Sequence, residues 1–458
     1  MTQMITNKPM ATFGFVLLLI ISVVAAVYPS SFPTSDAKLD AGDIAWVLVA
    51  SCLVLFMTPG LSFFYGGMVR PKNIISTMLQ SFICLAVISI LWYVVGFSLA
   101  FGPSIGGFIG NPMAFFMFNG VGTAPDPVIY PNVPFVLFAA FQLKFAIITP
   151  ALITGSFAER VRFWSYTIFI SLWSLLIYAP LAHWTWHPDG FLFKWGILDF
   201  AGGTVVHISA GCAALAGAMV LGRRKSHVEG ESYTPVNTPY VLLGTGLLWF
   251  GWFGFNAGSA LAANATAVKA FFNTNLASAA AALTWILVDT MRGHKPSALG
   301  ACIGAVVGLV AITPACGYVS FGPSLIIGFT AAIVSNYAVI RKNRTRLDDT
   351  LDVFPCHGVG GMVGMVMTAI FASDTGVMAT GDFTLLFKHL GGMLFVVVFT
   401  FGGSWILYKV TNMISPLRVT EEQEEVGLDI SQHGETVFNK EISSEDTPML
   451  GIPSMGLS

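Results

Sequence analysis

Asp199-Phe200-Ala201-Gly202-Gly203-Thr204-Val205-Val206-His207-Ile208-Ser209-Ala210-Gly211 opens an apolar run that continues to residue 221 and ends against Arg223-Arg224-Lys225. An acidic residue, about twenty residues without a permanent charge and then a basic cluster form the pattern of a membrane-spanning helix. One ionisable side chain, His207, sits inside it. An ionisable group within a span is a functional candidate by default.

The rest of the chain repeats the pattern. Of 458 residues, 55% are hydrophobic and only 10% charged, against roughly 25% charged in soluble domains. Too little polar surface is left to cover the chain in water. A soluble enzyme, a nucleic-acid binder and a disordered hub are excluded, and a net charge of −2 supplies no basic field for polyanions. The 47 glycines and 38 phenylalanines suit helices packed closely in lipid with aromatic lining. Cys52, Cys84, Cys212, Cys302, Cys316 and Cys356 lie in or beside apolar stretches without any C-x-x-C pair, and read as small buried hydrophobes.

Bilayer-length runs stand at 43–69, 74–101, 133–157, 163–183, 200–221, 239–261, 265–290, 297–315, 318–340, 355–373 and 384–411, eleven spans in all. Before them, Lys8 precedes an apolar run from Phe13 to Val27 that breaks at Tyr28-Pro29. Residues 1–28 read as a cleavable signal peptide, with an uncleaved twelfth helix as the alternative. Basic residues test the count. Loops after odd-numbered spans carry Arg70 and Lys72, Arg160 and Arg162, Arg223 to Lys225, Arg292 and Lys295, Arg341 to Arg346, and Arg418; those after even-numbered spans carry only Lys194. The positive-inside rule then places the mature N-terminus outside and the C-terminus in the cytoplasm of a multi-pass protein of the cell membrane. The core is 43–411. The tail, 412–458, turns acidic at Glu421, Glu422, Glu424 and Glu425, and is either solvated or a docking element.

Two pairs of spans resemble one another. Span 1 has Phe56 four residues before Gly60, and span 6 has Phe250 four before Gly254. Span 5 has His207 and Gly211, and span 10 has His357 and Gly361. Five is odd, so a second set of five spans enters the membrane from the opposite side. The expected architecture is an all-α inverted 5+5 repeat plus one helix, with a site near the midplane at the repeat interface. His207 and His357 would face one another there. A neutral imidazole offers one N–H donor and one bare nitrogen, so two rings can line a narrow polar path. Packed core histidines and bis-histidine haem ligation are the alternatives. The surrounding glycines leave little room for a porphyrin, and a metal would want further ligands.

At these residues the sequence resembles the ammonium transporter family (Amt/Mep/Rh), the Amt branch in particular. The stretch Asp199 to His207 carries the resemblance. So do Phe157-Ala158-Glu159-Arg160, Trp252-Phe253-Gly254-Phe255-Asn256-Ala257-Gly258-Ser259, Thr313-Pro314-Ala315-Cys316-Gly317-Tyr318 and the tail motif Glu425 to Glu435. The resemblance implies eleven helices in a homotrimer with one pore per subunit, and no cofactor, metal or enzymatic activity. It makes His207 and His357 the twin pore histidines, and Phe145 and Phe255 the stacked gate. Trp186, Phe145 and Ser259 become an outer ammonium site supported by Asp199, with Trp184 and Trp195 as neighbours of Trp186 that could take its place. Asp199 is either a proton acceptor or a cap for the span that begins at Phe200. Lys144, adjacent to Phe145, points about 100° away on a helix and need not enter the pore. A trimeric PII signalling protein at the cytoplasmic face is the expected partner, and an ammonium sensor with little transport is the alternative function.

Overall fold

The computed structural model describes residues 8–35, 39–231 and 234–437. The long helices are α1 (Lys8–Val27), α2 (Ala41–Met68), α3 (Pro71–Phe101), α4 (Phe135–Phe157), α5 (Phe163–Trp195), α6 (Gly203–Leu221), α7 (Thr238–Gly258) and α8 (Ala265–Met291). The short α9 (Ala298–Ile312) follows, then α10 (Phe321–Asn343), α11 (Phe354–Phe371) and α12 (Thr384–Ile414). Among the described residues, eleven helices are long and apolar enough to cross a bilayer.

That count differs in composition from the sequence reading. The eleven include α1 and omit α9, which covers the expected span 297–315 with only 15 helical residues. Such a helix reaches about 22 Å, short of a ~30 Å hydrocarbon core. Thr313-Pro314 ends it, and a buried run of turns continues to Val319. Helix α1 has no buried residue, so it contributes nothing to the core of the body.

Local chemistry explains where several helices begin. The side chains of Asp40, Asn237, Asn264 and Ser297 accept from the backbone N–H groups of Asp43, Tyr240, Ala267 and Gly300, each satisfying one of the donors a helix start leaves open. Helices α2 and α7 cross in close contact. A methyl group added at Gly60 would lie 2.9 Å from Leu247 Cβ, and one at Gly254 would lie 2.7 Å from the Ala50 carbonyl oxygen. The two glycines noted in spans 1 and 6 are each pressed on the other's helix, as small residues are in membrane packing.

The loops segregate to two ends. At one end, Arg70 N–H and Arg224 Nη1 donate to the Glu159 carboxylate, and Arg224 also donates to Asp348 through its backbone N–H, Nε and Nη2. Arg160 donates to Thr350 Oγ1 and to the Asp348 carbonyl. Loops after α2, α4, α6 and α10 therefore meet in one buried ionic network. The tail folds onto it: Val161 pairs with Arg418 in an antiparallel bridge. The Asp429 carboxylate accepts from Ile75 and Ser76 N–H at the start of α3, and Lys225 contacts Glu425. Residues 415–437 are thus docked, with Leu428 fully buried; the tail beyond 437 lies outside the described residues, as do residues 1–7. At the opposite end, Phe191 N–H donates to Gly107, Tyr130 to Ala260, and Ala263 N–H to Asp43. Chain just past α1 joins this end, where Ser31 donates to Asn119 and Gly120 N–H donates to Ser31.

Candidate functional site

Helices α6 and α11 both open with π-helical turns, Gly203–Ile208 and Phe354–Val359, and each turn carries one of the two histidines. Widened turns of this kind occur often at functional sites. A methyl group at Gly211 would lie 2.3 Å from Gly358 N, and one at Gly361 would lie 3.2 Å from His207 Cβ. Each histidine's fourth-following glycine therefore abuts the other histidine's segment. This reciprocal contact brings the rings together: His207 Nδ1 and His357 Nδ1 lie 3.3 Å apart, with ring centroids 5.4 Å apart.

A hydrogen bond between two Nδ1 atoms needs one protonated and one bare nitrogen, so the neutral pair holds opposite tautomers. Both rings are buried, and His207 Nε2 has no hydrogen-bond partner among the described residues. An unpartnered polar atom in so dry a place costs roughly 1–3 kcal/mol, which a small polar solute would recover.

Above His207 the surroundings are aromatic. Its ring stacks on Trp252 at 5.3 Å and on Phe255 at 5.9 Å. Phe255 meets Phe145 at 4.3 Å, and Phe145 meets Trp186 edge-on at 5.8 Å. Of the three candidate tryptophans, Trp186 is the one beside Phe145. Trp184 donates to the Phe108 carbonyl among Phe191, Phe395 and Phe399, and Trp195 packs against Gly391. Below His357, Phe64, Tyr65, Val306 and Cys356 line a cavity of about 10 Å³, on the scale of one water molecule. The Phe145 and Phe255 side chains are both buried.

Asp199 sits at the start of α6. Its carboxylate accepts from Gly202, Gly203 and Thr204 N–H at 2.6–2.8 Å and from Thr204 Oγ1 at 2.5 Å. Trp186 Nε1 donates to the Asp199 carbonyl at 3.2 Å. The residue thus caps the histidine-bearing turn and holds Trp186 in place. Ser259 joins less directly: its hydroxyl donates to the Phe255 carbonyl, leaving the oxygen lone pairs as acceptors. Lys144 lies near Cys52 of α2. Cys52 is exposed, unlike the other five cysteines.

Two contributors escaped the sequence reading. Trp252, quoted there only within a motif, stacks on His207 and is pinned by donation from Nε1 to Thr313 Oγ1 at 2.9 Å. Asp349 accepts from Val353 and Phe354 N–H and caps α11 as Asp199 caps α6. A signal was present: each aspartate precedes its histidine by the same interval in the sequence.

Fold and site together define a multi-pass α-helical membrane protein whose centre is a histidine pair between aromatic walls. The profile of the Ammonium Transporter Family matches residues 45–438. The chain is 45% identical to an ammonium transporter of Aquifex aeolicus, over 92% of this chain and 98% of that one, and 44% identical to one of Bacillus subtilis, over 87% and 99%. It also resembles the crystal structure of Saccharomyces cerevisiae Mep2, with TM-score 0.79, 36% identity, and coverage of 84% and 89%. A structure titled sensor Amt protein gives TM-score 0.78 at 30% identity, over 86% of this chain and 98% of that one. The chain belongs to the ammonium transporter family.

Proposed function

We propose that the chain takes up ammonium at the aromatic end, removes its proton and passes ammonia along the His207–His357 pair. A cation over the faces of Trp186 and Phe145 gains about 0.5–2 kcal/mol, and Ser259 Oγ accepts one N–H. Moving the intact ion inward is the costly alternative. The idealised Born penalty is about 20 kcal/mol, and several kcal/mol persist after relaxation. Deprotonating an amine about three units above ambient pH costs roughly 4 kcal/mol. The neutral route wins. Phe145 and Phe255 then act as a gate, and the histidines accept from and donate to the solute. Asp199 acts by holding the outer site and the α6 turn, since its carboxylate is already engaged by four donors.

The membrane placement follows from charge: the end bearing Arg70, Arg160 and Arg224 is cytoplasmic and the aromatic end external. Residues 1–28 act as a signal peptide, 43–411 as the transport domain and 412–458 as a regulatory tail. The working form is a homotrimer in the cell membrane, with a PII protein as the partner at the cytoplasmic end. The observation that carries the proposal is the 3.3 Å contact between the two Nδ1 atoms inside a dry constriction. Its test is methylammonium uptake, or ammonium-dependent current, in proteoliposomes with and without His207→Ala. Wild-type flux reduced at least tenfold in the variant is expected. The likeness to the sensor Amt structure supports a second reading, in which the site binds ammonium with little flux. Saturable binding with no wild-type transport would select it.

A further inference from the structure

Helix α12 lies outside the 5+5 repeat, yet it carries His389 into the apolar interior, where the side chain is fully buried. Ionisable groups are costly inside a span and mark functional sites, and the path along His207 and His357 leaves this one unused. Both of its ring nitrogens are engaged. Nδ1 lies 2.8 Å from the Met365 carbonyl oxygen, and Nε2 lies 3.0 Å from the Leu198 backbone nitrogen. A carbonyl only accepts and a backbone N–H only donates, so the ring is neutral, protonated at Nδ1 and bare at Nε2. The two partners belong to the two halves of the centre. Met365 sits on α11, about two turns beyond His357, and its carbonyl is part of a regular helix. Leu198 sits in irregular chain between α5 and α6, directly before Asp199. The N–H groups on either side of Asp199 are therefore both held by distant acceptors, Leu198 by His389 and Phe200 by the Pro314 carbonyl at 3.2 Å. Helix α12 also presses on this chain: a methyl group at Gly391 would lie 2.8 Å from the Trp195 ring, and one at Gly392 would lie 2.9 Å from Ile197 Cδ1. The Asp199 carbonyl in turn accepts from Trp186 Nε1.

We infer that His389 is a positioning residue for the ammonium site: its neutral imidazole fixes the backbone before Asp199 and thereby the place of Trp186 beside Phe145. It acts through Leu198 and Asp199. When the bond to Leu198 is lost, the part free to shift is the irregular chain at 196–198. The Met365 carbonyl keeps its place in α11, and the Asp199 carboxylate stays with the α6 turn through its four donors. The consequence falls on binding at Trp186 rather than on passage along the histidine pair, which is set by the contacts at Gly211 and Gly361. The inference rests on the reading of Trp186 as part of the ammonium site.

The test pairs His389→Phe, which keeps a ring and removes both bonds, with His389→Gln, whose amide supplies a donor and an acceptor. Half-saturation is read by calorimetric titration of the purified full chain with methylammonium chloride, and the maximal rate by methylammonium uptake in proteoliposomes. His389→Phe is expected to raise the half-saturating concentration about fivefold, with the maximal rate within about twofold of wild type. His389→Gln should return half-saturation to within about twofold of wild type. A purely structural role would lower yield or rate and leave half-saturation unmoved, and that result overturns the inference. So does a glutamine variant as impaired as the phenylalanine one. If His389→Phe folds poorly, His389→Asn reports in its place: its shorter amide reaches one partner at a time, and a shift of about two- to threefold is expected. An unchanged value there overturns the inference too. Trp186→Ala separates the two readings. If it moves half-saturation and the His389 variants do not, the positioning role fails alone; if it moves nothing, the site at Trp186 fails and the positioning role with it.

Discussion

The two halves of the centre, Asp199 to His207 and Asp349 to His357, share a spacing and a backbone device yet sit in different chemistry. Each aspartate caps a π-helical turn and each turn delivers one imidazole. Around Asp199 the partners are backbone N–H groups, one hydroxyl and an indole. Around Asp349 they are two N–H groups and the charges of Lys342 and Asp352, which themselves pair. The repeat supplied one scaffold, and its two ends diverged. At one end the Asp199 carboxylate accepts from uncharged donors. The other is tied through Asp348, Arg224 and Glu159 to the loops and tail. The meeting of the two imidazoles follows from what the halves share, and their different surroundings from the residues in which they differ.

The sharpest way to break the symmetry is through the glycines. Gly211→Ala would set a methyl group 2.3 Å from the Gly358 nitrogen, whereas at Gly361 the nearest atoms, Ile208 Cγ1 and the Gly203 carbonyl oxygen, stand back at 3.0 and 3.1 Å. The shorter approach should cost about 3 kcal/mol or more in the first variant and about 1 in the second. Thermal unfolding in detergent, with the yield of monodisperse protein, compares them, and equal losses would refute a tighter contact at Gly211.

Next come the caps. Asp199→Asn leaves one acceptor oxygen for four donors, while Asp349→Asn leaves one for two. We expect losses of about 2 and about 1 kcal/mol respectively, with only the first loosening Trp186 and raising the concentration needed for half-maximal uptake. Parallel uptake curves would show a change confined to that variant. A similar shift in Asp349→Asn would mean that the α11 cap also sets the site at Trp186.

The two ends also part in their response to pH. Burial, with Asp352 adding to it against the opposing charge of Lys342, raises the Asp349 carboxyl to about 6. A carboxyl raised on folding favours the protonated form. Its contribution, on the order of 2–3 kcal/mol, is complete below about pH 4 and lost as pH rises through about 6. Asp348 runs the other way: burial pushes it up, but Arg160 and Arg224 hold it well below the usual carboxylate range. Its contribution is present above that range and lost in stronger acid. Stability measured against pH should therefore fall between about 4 and 6 in the wild type, and that segment should flatten in Asp349→Asn. A variant that keeps the full slope would assign it to another group.

Much of this was legible in the residues. His207 and His357 stand out as ionisable groups in apolar spans, and the alternation of basic loops sorts the loops to two ends. Asp349 was as visible as Asp199, but in a loop dense with Asp348, Asp349 and Asp352 no local rule says which carboxylate turns back on the helix. Trp252 was one tryptophan among eleven; stacking on a ring 45 positions earlier is a long-range contact. The expected span 297–315 was too long because hydrophobicity continues through Thr313-Pro314 to Ala315 and Cys316, while the helix does not.

What the amino-acid order determined by itself is the partition: which segments avoid water, which loops share a side, and which few polar groups are carried into the apolar interior. Those follow from transfer free energies and charge, which act residue by residue. Only the tertiary structure decided that the two imidazoles touch, that Trp186 rather than Trp184 or Trp195 stands over Phe145, and that the tail closes onto the ionic network. Each of these needs helices far apart in sequence to meet at particular glycines and caps, and the geometry of such contacts belongs to the packed whole.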